Sequence, residues 1–306
     1  MTTKKRPPAE AVSESFAESG DGTRIYYRRR PGPSPVTAVL CDGLVCDGFI
    51  WKYLWDDLAA ELSVAHFNYR GHGRSAPPAD TEAVGVEAHA QDLDAVRRAL
   101  GDPEVVLIGH SLGTQVALEA YRQRPERIAA LVLICGSFGR VTYTFKGSEM
   151  LANVLPDLIG LAVRHPKLLR AIWSRFPPNV ALRLAQLTGD VDPTQVRLED
   201  VRPYFEHVAN VDFEMFLRML KAAGEHSAED VLARVKAPVL VIAGAKDSFT
   251  PKAVSEAMAE AIPGAELEVL ASGTHIAPLE LSAVIHARIR RFLFERVLVD
   301  DTSHPE

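Results

Sequence analysis

The run GHSLG, residues 109–113, sets Ser111 between two glycines, each two positions away. A serine hydroxyl placed there can act as a nucleophile if the chain bends sharply and exposes it. Gly109 and Gly113 permit that bend, because neither adds a Cβ where the backbone is tightest. Serine alone is a poor nucleophile. It needs a general base within hydrogen-bond reach and a third group that orients the base. The chemistry this pentapeptide suggests is attack on a carbonyl carbon, with a histidine and a carboxylate supplied from elsewhere in the chain.

The elements around Ser111 are those the bend requires. EVVLIG (104–109) is a strand-like apolar run, and TQVALEAYRQ (114–123) has apolar residues at helical spacing. Similar apolar runs are VTAVLCDG (36–43), LSVAHFNY (62–69), AALVLICGS (129–137), APVLVIAGAKD (237–247) and AELEVLASG (265–273). Between and after them lie helical patterns: FIWKYLWDDLAAEL (49–62), VEAHAQDLDAVRRAL (86–100), PKAVSEAMAEAI (251–262) and SAVIHARIRRFLFERV (282–297). ESFAESGDGTRIYYRRR (14–30) reads as two short strands joined at Gly20-Asp21-Gly22. Strands apolar on both faces, alternating with helices, predict an α/β fold with a mostly parallel, doubly wound sheet.

One stretch breaks the rhythm. Residues 138–235 contain no strand-like run, only helical patterns punctuated by Pro156, Pro166, Pro177, Pro178, Pro193 and Pro203. The expected organisation is a core of residues 14–137 and 236–297, a helical cap of residues 138–235 inserted between core strands, and flexible termini at 1–13 and 298–306. The 306 residues are 47% apolar and 24% charged, enough for a substantial core. With 34 basic and 40 acidic residues the formal charge is −6, which argues against a nucleic-acid partner. No apolar run follows the early lysines and arginine as a signal peptide requires, and none is long enough for a membrane span. Cys41, Cys46 and Cys135 make neither a disulfide framework nor a zinc spacing. The expectation is a cytoplasmic protein without metal or organic cofactor.

With the strand, the elbow at Ser111 and the following helix in place, the chain resembles the α/β-hydrolase superfamily, in particular its capped members with a serine nucleophile. The resemblance spans roughly residues 14–297. It implies a serine–acid–histidine order, so the partners of Ser111 lie downstream. Of His165, His207, His226, His275, His286 and His304, only His275 sits in a loop directly after a core strand. Asp247 occupies the corresponding loop after an earlier strand, 28 residues before His275; Asp230 and Glu229 are weaker substitutes. The resemblance also implies an oxyanion hole from the backbone N–H groups of Leu112 and Leu44.

The sequence departs from the family pattern at VLCDGLV, where Asp42 stands in place of the usual histidine. A carboxylate near a developing oxyanion would oppose it. The expectation is that Asp42 points away and accepts hydrogen bonds from loop backbone; the alternatives are that it contacts substrate or orders a water. NYRGHGRSAPP (68–78) resembles the superfamily turn after the fourth strand, with Asn68 for aspartate and Arg70 as a brace. In the cap, Trp173, Phe176, Phe213, Phe216 and Met219 either pack internally or line an apolar acyl pocket. The implied activity is a serine carboxylic ester hydrolase acting on a medium-sized, mostly apolar small molecule. A lactonase, thioesterase, carbon–carbon bond hydrolase or cofactor-free perhydrolase would use the same residues. A hydrolase-like binding protein with little turnover is the rival from another class. Oligomeric state is not legible.

Overall fold

Residues alternate between the two faces of a strand, so a strand apolar at every position must be covered on both sides. That is the arrangement in the computed structural model, which describes residues 12–144, 149–165, 167, 168, 171, 180, 183, 185, 187, 191, 192 and 194–298. Eight strands form one sheet: β1 (Ser13–Glu18), β2 (Arg24–Arg30), β3 (Thr37–Cys41), β4 (Ser63–Phe67), β5 (Val105–His110), β6 (Ile128–Ile134), β7 (Val239–Gly244) and β8 (Glu266–Leu270). Their order is β1-β2-β4-β3-β5-β6-β7-β8. The β1–β2 and β2–β4 pairs are antiparallel and every other pair is parallel.

The helices are α1 (Leu54–Leu58), α2 (Val86–Ala99), α3 (Leu112–Gln123), α4 (Val141–Thr144), α5 (Met150–Arg164), α6 (Leu198–Asn210), α7 (Phe213–Glu225), α8 (Glu229–Leu232), α9 (Lys252–Ala261), α10 (Ala277–Glu280) and α11 (Ser282–Arg296). Val105 and Leu107 of β5 join a buried cluster with Leu93 and Val96 of α2, Val116 and Leu118 of α3 and Met258 of α9. Val106 and Ile108 face the other way, onto Leu54 and Leu58 of α1 and Ile285, Ile289 and Phe292 of α11. The period of two in the strands thus builds two cores, one on each face.

One expectation needs correction. The pattern at 49–62 does not make one helix: a 3-10 turn at Phe49–Trp51 precedes the five residues of α1. The break lets Trp51, with no exposed surface, turn inward beneath the loop after β3. At the termini, Ser13 already pairs with Arg29 across β1–β2, and Leu298 N–H donates to Leu293 C=O at 2.8 Å. Residues 1–11 and 299–306, nearly all of the termini expected to be flexible, lie outside the described residues.

Among the described residues no strand lies between β6 and β7. The helical segment there leaves and rejoins the sheet through a neck: Arg140 N–H donates to His226 C=O at 3.0 Å and Ala228 N–H to Phe138 C=O at 2.7 Å. Pro156 and Pro203 fall inside α5 and α6 and do not end them. The three cysteines are free and buried.

Candidate active site

Ser111 sits between the end of β5 and the start of α3, with φ 55° and ψ −116°. That is a backbone conformation few side-chain-bearing residues adopt. The glycines around it are required by contact as well as by conformation. A Cβ on Gly113 would lie 2.1 Å from the Cys41 carbonyl oxygen, and one on Gly109 would lie 2.3 Å from the Gly113 oxygen. Only chain without side chains lets β5 turn into α3 this closely beside β3. The Ser111 N–H donates to Ile134 C=O at 3.1 Å, which fixes the turn to the neighbouring strand.

His275, in the loop between β8 and α10, brings Nε2 to 2.9 Å from Ser111 Oγ. Its Nδ1 lies 2.9 Å from Asp247 Oδ2, in the loop after β7. Because Asp247 only accepts, the ring proton belongs on Nδ1, leaving the Nε2 lone pair facing the serine hydroxyl. Phe249 N–H donates to Asp247 Oδ1 at 2.8 Å, Thr250 N–H to the same oxygen at 2.9 Å, and Thr250 Oγ1 to Oδ2 at 2.8 Å. Burial opposes ionisation of Asp247. The His275 ring beside it and the hydrogen bonds from His275 and Thr250 outweigh that and hold its carboxyl below the usual range.

Several residues that support this chain were not singled out in the sequence. Thr250 is one, and the D-S-F-T order of an Asp-centred turn could have found it. His110 Nε2 donates to the His275 carbonyl oxygen at 2.8 Å. Burial, then the neighbouring His275, pushes the His110 pKa down to about 4. Phe249 stacks on the His275 ring, 4.9 Å between centroids. Glu280 accepts from Thr274 N–H at 2.9 Å and Thr274 Oγ1 at 2.8 Å, bracing the residue before His275. Its Oε1 also accepts from Asp192 N–H at 3.1 Å, which ties the helical segment to that loop. No local pattern announces the roles of the last three.

The loop after β3 lies against the serine: a Cβ on Gly43 would be 3.3 Å from Ser111 Cβ. Leu44 follows it, and Leu112 opens α3, where the first N–H groups have no intrahelical acceptor. Asp42 is placed differently from expectation. It has no exposed surface, and its oxygens accept from side chains and not from loop backbone: Trp51 Nε1–H at 2.7 Å and His66 Nε2–H at 2.8 Å. With both oxygens engaged inside the core, it is not presented to a substrate. Arg70 braces its turn as expected, bonding Asp92 through Nε and Nη2 and Asp21 through Nη1.

Of the cap residues read either as internal packing or as an acyl pocket, three are described. Phe213 and Phe216 pack with Leu155 and Ala162 of α5 and Leu217 of α7, helix on helix within the segment. Met219 is buried in the core cluster that includes Leu112, with Leu44 and Met215 packed against that cluster. Trp173 and Phe176 lie outside the described residues. Of the other histidines, His226 faces Glu119 and His286 faces Asp57. Among the described residues, no three His, Cys, Asp or Glu side chains gather as metal ligands, and no helix is long and apolar enough to cross a membrane.

Comparison with known proteins gives a consistent picture. A family described as alpha/beta hydrolase fold matches residues 39–280. A putative carbamate hydrolase, RutD, of Cronobacter turicensis is 29% identical over 269 residues, covering 84% of this chain and 92% of that protein. An N-formylmaleamate deformylase of Pseudomonas putida is 24% identical over 263 residues, covering 85% and 89%. In structure, a thermophilic esterase from Thermogutta terrifontis superimposes with a TM-score of 0.74 at 21% identity, covering 92% of this chain and 98% of that one.

Proposed function

The chain belongs to the alpha/beta hydrolase family, and on that premise we propose that it hydrolyses carboxylic esters of small, mostly apolar molecules through an acyl-enzyme on Ser111. The observation that carries this reading is the unbroken hydrogen-bonded line Ser111 Oγ–His275 Nε2, His275 Nδ1–Asp247 Oδ2, both steps 2.9 Å. Ser111 Oγ attacks the carbonyl carbon as His275 Nε2 takes its proton. The imidazolium so formed lies against a carboxylate already held ionised, which keeps the proton available for the departing alcohol. The N–H groups of Leu112 and Leu44 receive the developing oxyanion. Water, deprotonated by the same His275, then attacks the acyl carbon and releases Ser111.

The ester reading is supported by the named activities of the relatives, which speak of an ester, a carbamate and an N-formyl group. Each contains a carbonyl carbon open to a serine. An ester is the least demanding, because an alkoxide is a better leaving group than the nitrogen of a carbamate or an N-formyl group. The segment between β6 and β7 acts in this reading as a cap that limits what reaches Ser111. Initial rates on p-nitrophenyl esters from acetate to palmitate, with Ser111→Ala as control, test it. Turnover abolished by the substitution supports the mechanism, and the preferred chain length reads the depth of the acyl site. A wild-type protein as inert as Ser111→Ala overturns the ester reading.

A further inference from the structure

Asp42 raises a question that the ester mechanism leaves unanswered: why a carboxylate stands at the root of the loop that supplies an oxyanion N–H. The loop 42–48 enters the left-handed region twice. Val45 has φ 56° and is 1% exposed, although a β-branched residue resists the left-handed region. Gly48 has φ 94°, and a Cβ there would meet the His66 ring at 2.7 Å. Such a conformation persists only where its surroundings over-determine it.

The surroundings converge on Asp42. Its Oδ1 accepts from Trp51, in the 3-10 turn that ends the loop, and its Oδ2 from His66, on β4. Its backbone carbonyl accepts from Tyr69 Oη at 2.8 Å. Asp42, His66, Trp51 and Tyr69 are all 0–1% exposed. His66 Nδ1 is buried without a partner among the described residues, so the ring proton sits on Nε2, where the carboxylate takes it. Trp51 in turn packs edge-on against His110, 6.3 Å between centroids, and His110 holds the His275 carbonyl. One buried network therefore ties the Leu44 loop to the base.

We propose that Asp42 is a positioning residue, clamping the loop 42–48 through Trp51, His66 and Tyr69 so that the Leu44 N–H is aimed at the oxygen that becomes negative during acyl transfer. The substrate never touches it. This inference rests on the serine-hydrolase reading of Ser111.

The test measures the rate at which an alkyl fluorophosphonate labels wild type, Asp42→Ala, Asp42→Asn and Ser111→Ala, together with kcat and KM on the best p-nitrophenyl ester. Circular dichroism confirms that each variant is folded. Phosphonylation needs the same oxyanion N–H groups but no fit to an acyl pocket. Asp42→Ala should label about a hundredfold more slowly and lose kcat by a similar factor with KM little changed. Asp42→Asn can still accept from Trp51 and, with the His66 proton moved to Nδ1, donate to Nε2. It should recover at least about tenfold of the loss, because the clamp is geometric. If Asp42→Asn is as slow as Asp42→Ala, the negative charge and not the clamp is what matters, and the proposal fails. It fails equally if Asp42→Ala labels at the wild-type rate or raises KM alone. Failure of wild type to label at Ser111, by contrast, would remove the hydrolase reading itself and this inference with it.

Discussion

The sheet edge and the helical segment above it are built on different terms. At the edge, Ser111, Asp42, Asp247 and His275 all have their polar atoms bonded, and backbone strain is held at Ser111 and Val45. Some supports are local, as Thr250 is for Asp247, and others come from far along the chain, as His66 and Tyr69 do for Asp42 and His110 does for His275. In the segment, α5 and α7 pack on each other around Leu155, Ala162 and Leu217, while Met150, Val154, Leu158 and Leu161 face outward with 38–69% of their surface exposed. The lesson is a division of labour. The edge groups are held by hydrogen bonds to the sheet and its loops, while α5 packs on α7 and leaves one face to solvent; in the proposed reading the first move protons and the second screens substrates.

Substitutions on the two sides should therefore differ sharply, and the largest effect belongs to the edge. Asp247→Asn removes the acceptor that sets the His275 tautomer, and kcat should fall about 10⁴-fold while the protein stays folded with a lowered thermal midpoint. Steady-state kinetics beside calorimetry checks both halves; a loss under tenfold would detach Asp247 from the mechanism. Acid should also strike the sheet side first. Burial pushes the pKa values of His72 and His110 down to about 4. An unfolded imidazole titrates near 6.5, so between pH 6.5 and 4 the unfolded chain binds more protons than the folded one. Stability then falls as pH drops through that window, by about 3 kcal/mol for each imidazole. Asp247 contributes throughout this range and is lost only at lower pH, because its folded pKa is depressed. Urea midpoints at pH 7, 5.5 and 4.5 would show the slope, and a flat profile would mean these rings are not buried unprotonated.

Gly113→Ala forces a Cβ to within 2.1 Å of the Cys41 oxygen, where backbone must shift. About 3 kcal/mol of stability should go, read from the same denaturation curves, together with activity. Glu280→Gln probes the seam between the regions, since the carboxylate accepts from both Thr274 and Asp192 and an amide cannot accept from all of these donors. A kcat loss of about ten- to a hundredfold is expected, with KM shifted because segment and base loosen together. Leu158→Ser, on the exposed face of α5, should change stability by less than about 0.5 kcal/mol and leave kcat intact. A large loss there would erase the contrast.

Legibility in the sequence followed the same division. The central strands β3 to β7 stood out because a strand covered on both faces must be apolar at consecutive positions, as in VVLI of β5 and LVLI of β6. The elbow stood out because its glycines are needed by steric contact. The serine–acid–histidine order implied by the family resemblance, together with position after a core strand, pointed to His275 among the six histidines after Ser111 and to Asp247, which the structure brings into hydrogen-bond reach. Phe213 and Phe216 carried no such signal: a helical apolar stripe looks the same whether it faces a ligand or another helix. The Phe49–Leu62 run misled for a related reason. Helical spacing of apolar residues does not reveal that Trp51 is drawn inward by a carboxylate nine positions earlier.

What the amino-acid order determined by itself was the alternating strand–helix architecture and the serine elbow; Asp247 and His275 needed the family resemblance as well. These depend on local periodicity, on glycine sterics and on position relative to strand ends. Only the tertiary structure decided what Asp42 does, which residues brace His275 and Asp247, and where the aromatic residues of the segment point. Those outcomes depend on hydrogen bonds between groups far apart in the chain: His110 reaches the His275 carbonyl across 165 positions and Glu280 reaches Asp192 across 88. A buried polar group must find a partner, but no local rule says which element will supply it.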